Sequence, residues 1–128
     1  MDRLLKTLKK ICANQTEQVF VYETLLSNKL RKKLLKRDVE THVDRIVGFR
    51  EVSIESDEGP NHTLLPDEVS TVVGKRFSVT MDELRVLDRY EDEYTRKKIQ
   101  LASGHTAWVY FLRVDEMVNK GRNLEIPN

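Results

Sequence analysis

The chain has a single cysteine, Cys12, in 128 residues. A lone cysteine closes no internal disulfide, so packing must hold the fold, and a reducing, cytoplasmic setting is the expectation. Long apolar runs are also missing, and none approaches the ~18 residues of a membrane-spanning helix. The first 13 residues interleave charge with apolar positions and offer no small-residue cleavage site, which argues against a secretory leader. Asn14-Gln15-Thr16 and Asn61-His62-Thr63 match glycosylation acceptors but, without a leader, read as idle. With only five glycines, the chain has no G-x-G-x-x-G, and Gly74-Lys75 lacks the glycine-rich turn of a phosphate loop, so nucleotide binding has no support. No serine stands in a G-x-S-x-G elbow. His42, His62 and His105 are isolated from one another and from Cys12, without the paired spacing of a zinc site, and no metal is expected.

What is present describes one modest domain, 39% hydrophobic and 34% charged. The net charge of +1 conceals polarity: residues 1–37 hold ten Lys and Arg against three Asp and Glu, and residues 38–128 hold twelve against eighteen. A basic half invites a nucleic-acid or anionic-membrane reading. However, Leu30 and Leu34 keep helical spacing, which makes Lys29, Arg31, Lys32, Lys33, Lys36 and Arg37 readable as a solvated face, and no interleaved aromatics offer base stacking. Nucleic acid is therefore not the expected partner.

Leu4, Leu5, Leu8, Ile11 and Cys12 fall at helical spacing with lysines largely opposite, so residues 1–17 are expected to be an amphipathic helical extension. Packing on the same domain, self-association or contact with a protein partner are its candidate roles, with peripheral membrane contact a weaker one. Residues 18–118 form the domain, and 119–128 a loose tail. Within the domain, Gln18 to Tyr22 reads as a buried strand, 28–37 as a helix and Val43 to Ile54 as a strand interrupted at Gly48. Ser56 to Pro66 reads as a loop, and Val69 to Val79 as a strand with a bulge or close approach near Gly74. Tyr94 to Leu101 and Thr106 to Val114 form a hairpin about Ser103-Gly104, the second strand apolar on both faces. Several antiparallel strands with few helices make an α+β domain.

Thr80 and Glu83 stand in the capping-box relation, so a helix starts at Met81, and Leu84, Leu87 and Glu91 share one face near its end. Partial burial and the negative end of the helix dipole would both raise the Glu91 pKa toward the range of a general base. The alternative is a frayed, solvated last-turn acid.

Two segments together resemble the γ-glutamyl cyclotransferase-like family, including its plant avirulence-induced members. Val21-Tyr22-Glu23-Thr24-Leu25 is similar to the family's V-Y-G-T-L. Leu87-Asp88-Arg89-Tyr90-Glu91-Asp92-Glu93-Tyr94-Thr95-Arg96 is similar to L-D-x-x-E-x-x-Y-x-R. Val73-Gly74-Lys75-Arg76-Phe77-Ser78-Val79 resembles the strand before the catalytic helix, and Gly59-Pro60-Asn61 with Leu64-Leu65-Pro66 the loop around the pocket. The resemblance implies a small, mixed, partly closed β-barrel with peripheral helices. It also implies a cofactor-free enzyme that releases 5-oxoproline and an amine from a small-molecule γ-glutamyl amide by intramolecular aminolysis. Glu91 would be the catalytic residue. Tyr22, Glu23, Thr24, Leu25 and Tyr94 would bind substrate, with Asp88 and Arg96 in support. Tyr22 also reads as a packing residue with a polar tip, Asp88 as a structural acceptor, and Arg96 as either an acid's partner or a substrate clamp. Glu23 departs from the motif, standing where the family carries glycine, and this opens a second reading: a catalytically impaired member acting as a binding or regulatory protein.

Overall fold

The computed structural model describes residues 16–22, 27–55, 57 and 59–112. The expected extension up to residue 15, the loop residues Glu23, Thr24 and Leu25, and the tail at 119–128 lie outside the described residues. The elements are β1 (Thr16–Val21), α1 (Asn28–Leu35), β2 (Thr41–Ile54), β3 (Asn61–Thr80), α2 (Met81–Tyr90), β4 (Tyr94–Gln100) and β5 (Thr106–Leu112). The strands form one sheet in the order β2-β3-β1-β5-β4. β1 sits at its centre, antiparallel to β3 and parallel to β5, so the sheet is mixed. No described helix is long and apolar enough to cross a membrane.

The sheet carries a core on each face. Val19, Val21, Phe77, Val79 and Tyr110 pack with Leu35 of α1 and with Leu84 and Leu87 of α2. On the other face Phe20, Tyr22, Ile46, Ala107 and Val109 pack with Leu64 and Leu101 inside the curl. This is the period-two alternation of a strand covered on both sides. The curl brings the two outer strands together at one point. Just beyond β4, Ala102 donates its amide to the Arg45 carbonyl of β2 at 2.9 Å. Beside it the Asp44 carboxylate, 5% exposed, accepts from the Ser103 hydroxyl, the Ser103 and Arg45 amides, and Arg76 Nε of β3 at 3.1 Å. One buried acid thus latches the half-barrel.

Glycine acts at two places anticipated by the sequence. Gly48 has φ +87°, where an L side chain is strained, and the β2–β3 register shifts there between Val47 and Phe49. At Gly74, a Cβ would collide with the Val21 carbonyl oxygen and the Phe20 ring, so glycine lets β3 close on the end of β1.

Two expectations are corrected. The segment read as a loop to Pro66 is already strand from Asn61, paired along β2 from Ile54↔Asn61 to Phe49↔Pro66; the interruption falls after Pro66, before pairing resumes at Val47↔Thr71. In α1, Lys29, Lys32 and Lys33 are exposed as a solvated face, but Arg31 is not. It is 2% exposed, with its guanidinium 5.8 Å from the centre of the Phe77 ring, and burial lowers its pKa.

Candidate active site

α2 places the central acid. Its start is fixed by the full capping box: Thr80 Oγ1 accepts from the Glu83 amide at 3.1 Å, and Glu83 Oε1 accepts from the Thr80 amide at 2.9 Å. Arg37, just after α1, adds a two-pronged ion pair to Glu83 at 2.7 and 2.9 Å. Leu84 and Leu87, both 0% exposed, press the helix onto the sheet. The helix ends at Tyr90, and Glu91 is its C-cap, with φ −98° and ψ 46°. Glu91 hangs from the last turn through its own amide, which donates to the Leu87 carbonyl at 2.9 Å, while its carbonyl accepts from the Tyr94 amide at 2.9 Å.

The Glu91 side chain is partly buried rather than fully solvated. Among the described residues no donor or cation is paired with its carboxyl. Burial first, and the charge of neighbouring Asp92 second, push its pKa from 4.5 up to about 7. Such a group can take up and return a proton near neutrality.

β1 delivers Tyr22 to the same region. Its phenol, 8% exposed, donates to the Tyr110 carbonyl at 2.8 Å. Burial pushes its pKa up, and the charge of Glu91 adds to that rise, so the end of β1 and the end of α2 lie within electrostatic reach. Tyr94, the first residue of β4, donates its hydroxyl to the His62 carbonyl at 2.8 Å. A phenol has one proton to give, so Tyr94 as placed meets a ligand only as an acceptor.

Asp88 and Arg96 belong to one network. Asp88 Oδ1 accepts from Arg96 Nε at 2.9 Å and from the Tyr110 hydroxyl at 2.7 Å. The Arg96 guanidinium lies 4.1 Å from the centre of the Trp108 ring. Arg96 as placed is therefore an acid's partner, and Asp88 an acceptor. Tyr110 and Trp108 entered the sequence reading only as covered strand residues. The signal that was available is chemical: a buried tyrosine hydroxyl needs a partner. Among the described residues no three His, Cys, Asp or Glu side chains converge on a point that could hold a metal.

Comparison with known proteins bears on the family and the fold. The family described as gamma-glutamyl cyclotransferase, AIG2-like, matches residues 19–126. AIG2-like protein D of Arabidopsis thaliana is 36% identical over 85 residues, covering 65% of this chain and 55% of that protein. AIG2-like protein C of the same plant is 37% identical over 86 residues, covering 65% and 48%. The chain thus spans about half the length of these curated relatives. An Arabidopsis thaliana protein solved in solution superposes with a TM-score of 0.67 at 26% identity, covering 78% of this chain and 70% of that one. A solved gamma-glutamyl cyclotransferase superposes with a TM-score of 0.67 at 15% identity over 77% and 68%, a likeness of fold.

Proposed function

The chain belongs to the gamma-glutamyl cyclotransferase, AIG2-like family, and on that premise we propose that it cleaves γ-glutamyl amides to 5-oxoproline and an amine. The observation that carries this reading is the Glu91 carboxyl at the end of α2: partly buried, unpaired among the described residues, and pushed up to about 7. In the proposed reaction Glu91 takes a proton from the substrate's α-ammonium group. The freed amine attacks the γ-carbonyl carbon and closes a five-membered ring. The bond to the departing amine then breaks as Glu91 returns the proton to that nitrogen, the ring nitrogen gives up its second proton, and the amine leaves as its ammonium ion. The attack is intramolecular, so the protein's main work is folding the substrate and shuttling protons from the attacking to the departing nitrogen, and such proton transfers contribute roughly 10²- to 10⁴-fold. Backbone amides of the loop from Tyr22 through Leu25 are the proposed holders of the substrate carboxylate or the developing oxyanion. The scheme routes no step through a cofactor, leaves the amine half of the substrate open, and suits the reducing, cytoplasmic setting expected for a chain with one cysteine.

The second reading, a member that binds without turnover, is favoured by Glu23, whose added negative charge would oppose a substrate carboxylate at that loop. One experiment addresses both. A panel of γ-glutamyl amides is assayed for 5-oxoproline release with the wild type, Glu91→Gln and Glu23→Gly. Glu91→Gln is expected to fold and lose turnover by at least ~10²-fold, and unchanged turnover would remove Glu91 as the base. Silence of the wild type with turnover by Glu23→Gly would establish the impaired-member reading.

A further inference from the structure

We propose that Asp88 is a positioning residue, gripped by Tyr110 and Arg96, and that this grip fixes the turn from which Glu91 hangs. The activity arm of its test rests on the cyclotransferase reading; the geometry does not. Two strands, β4 and β5, converge on Asp88. From β5, the Tyr110 hydroxyl reaches its Oδ1 at 2.7 Å. From β4, Arg96 Nε reaches the same oxygen at 2.9 Å, and the guanidinium is seated 4.1 Å from the Trp108 ring centre. Behind them Tyr22, the residue after β1, donates its hydroxyl to the Tyr110 carbonyl at 2.8 Å. Tyr110 is 5% exposed, so its hydroxyl has little freedom to aim elsewhere.

Helix stability does not explain an acid at this position. A carboxylate in the last turn faces the negative end of the helix dipole, and last turns fray. α2 also closes without a left-handed cap, since Glu91 at its C-cap has φ −98°. Leu84 and Leu87 anchor the apolar side of the helix, and the Asp88 network is the side-chain polar tie between its last turn and the strands. Proton transfer demands such restraint, because a misplacement of about 1 Å can cost ~10²-fold in rate. The groups electrostatically linked to Glu91 are Asp92 beside it, Tyr22 just after β1 and Tyr110 of β5. Loosening the turn would let water reach the carboxyl.

The test uses the full chain with Tyr110→Phe, Asp88→Ala and Asp88→Asn. The first readout is NMR titration of the Glu91 side-chain carbonyl carbon, which needs no substrate. Tyr110→Phe and Asp88→Ala are expected to lower its midpoint from about 7 toward 4.5. Asp88→Asn keeps an acceptor oxygen in place and is expected to stay near the wild type. The second readout is steady-state kinetics on a γ-glutamyl amide that the wild type turns over. Tyr110→Phe should lower kcat ~10- to 100-fold with KM changed less than ~3-fold, and shift the acid limb of the pH profile downward. Folded Tyr110→Phe with the wild-type Glu91 midpoint would overturn the proposal and leave Asp88 a stabilising contact. If Asp88→Ala does not fold, Tyr110→Phe, which removes one oxygen atom, decides the matter. If no amide is turned over by the wild type, the cyclotransferase reading fails while the titration still decides the positioning role.

Discussion

Asp44, a buried carboxylate, and Glu91, a partly buried one, are shifted in opposite directions. Burial alone would push the Asp44 carboxyl up, but hydrogen bonds from Ser103, the Arg45 amide, Arg76 and the Ser103 amide outweigh it and hold the group below its ordinary 3.8. Around Glu91 no described donor offsets burial, and the group rises to about 7. Burial thus sets the stakes, and the donors supplied by the fold decide the sign. Asp44 is spent on structure, joining the outer strand β2 to the turn after β4. Glu91 is left with its proton exchangeable, at a cost in stability that a purely structural acid would not carry.

The sharpest way to break the comparison is to remove the structural acid. Asp44→Ala strands Arg76 and Ser103 at the closure of the half-barrel, and breaking a buried, hydrogen-bonded pair costs about 3–5 kcal/mol. Chemical denaturation at pH 7 should show a loss of that order. The Asp44 pKa is depressed on folding, so its contribution is present above 3.8 and fades as pH falls through the lower folded value. The wild type and the variant should therefore converge in stability only below pH 3.8. A loss under ~1 kcal/mol at pH 7 would mean that the latch is ornamental and that sheet pairing alone sets the curl.

Removal of the other acid should do the reverse. The Glu91 pKa is raised on folding from 4.5 to about 7, so the unfolded chain releases this proton first. Wild-type stability is then full below 4.5, declines as pH rises toward 7 and levels off above it. The shift corresponds to roughly 3 kcal/mol at most, at 1.36 kcal/mol per pH unit. Glu91→Gln has no proton to lose and should be the more stable protein at pH 8, by up to about that amount, with little difference at pH 4.5. Equal unfolding free energies at pH 8 would show that the Glu91 charge is solvated after all.

The two acids also differ in how far the sequence announced them. Glu91 was legible because everything that places it is local: the Thr80–Glu83 capping box fixes the start of α2, and Leu84 and Leu87 fix its buried face. Gly48 and Gly74 were legible for a similar reason, since a glycine inside a strand pattern asks for a bulge or a close approach. Asp44 carried no such mark. Its partners Arg76 and Ser103 lie 32 and 59 residues away in sequence, and only the curl of the sheet brings them together. Tyr110 was hidden likewise, its hydroxyl partner being 22 residues back. Arg31 ran against its local pattern because Phe77, on a distant strand, gives its guanidinium an aromatic face. The strand from Asn61 was missed because Pro66 ends a paired stretch of β3 rather than a loop.

The finest distinction concerns the second cause of the Glu91 shift. Asp92 is exposed, and its charge is the smaller influence on Glu91 after burial. Two unit charges about 4 Å apart in water interact by only ~1 kcal/mol, so removing one should move the Glu91 midpoint by less than about one pH unit. Asp92→Asn is therefore expected to lower the midpoint of Glu91, leaving it well above 4.5 because burial remains. Salt offers an independent check. The Asp92 contribution passes through solvent and is screened within ~10 Å at 0.1 M ionic strength, whereas the burial contribution is not. Raising the salt should lower the wild-type midpoint toward that of Asp92→Asn while leaving the variant nearly unmoved. NMR titration of the two proteins at low and high salt measures both effects. A drop in Asp92→Asn all the way to 4.5 would mean that a neighbouring charge, not lost hydration, keeps the proton on Glu91, and the contrast with Asp44 would have to be rebuilt on charge rather than on donors.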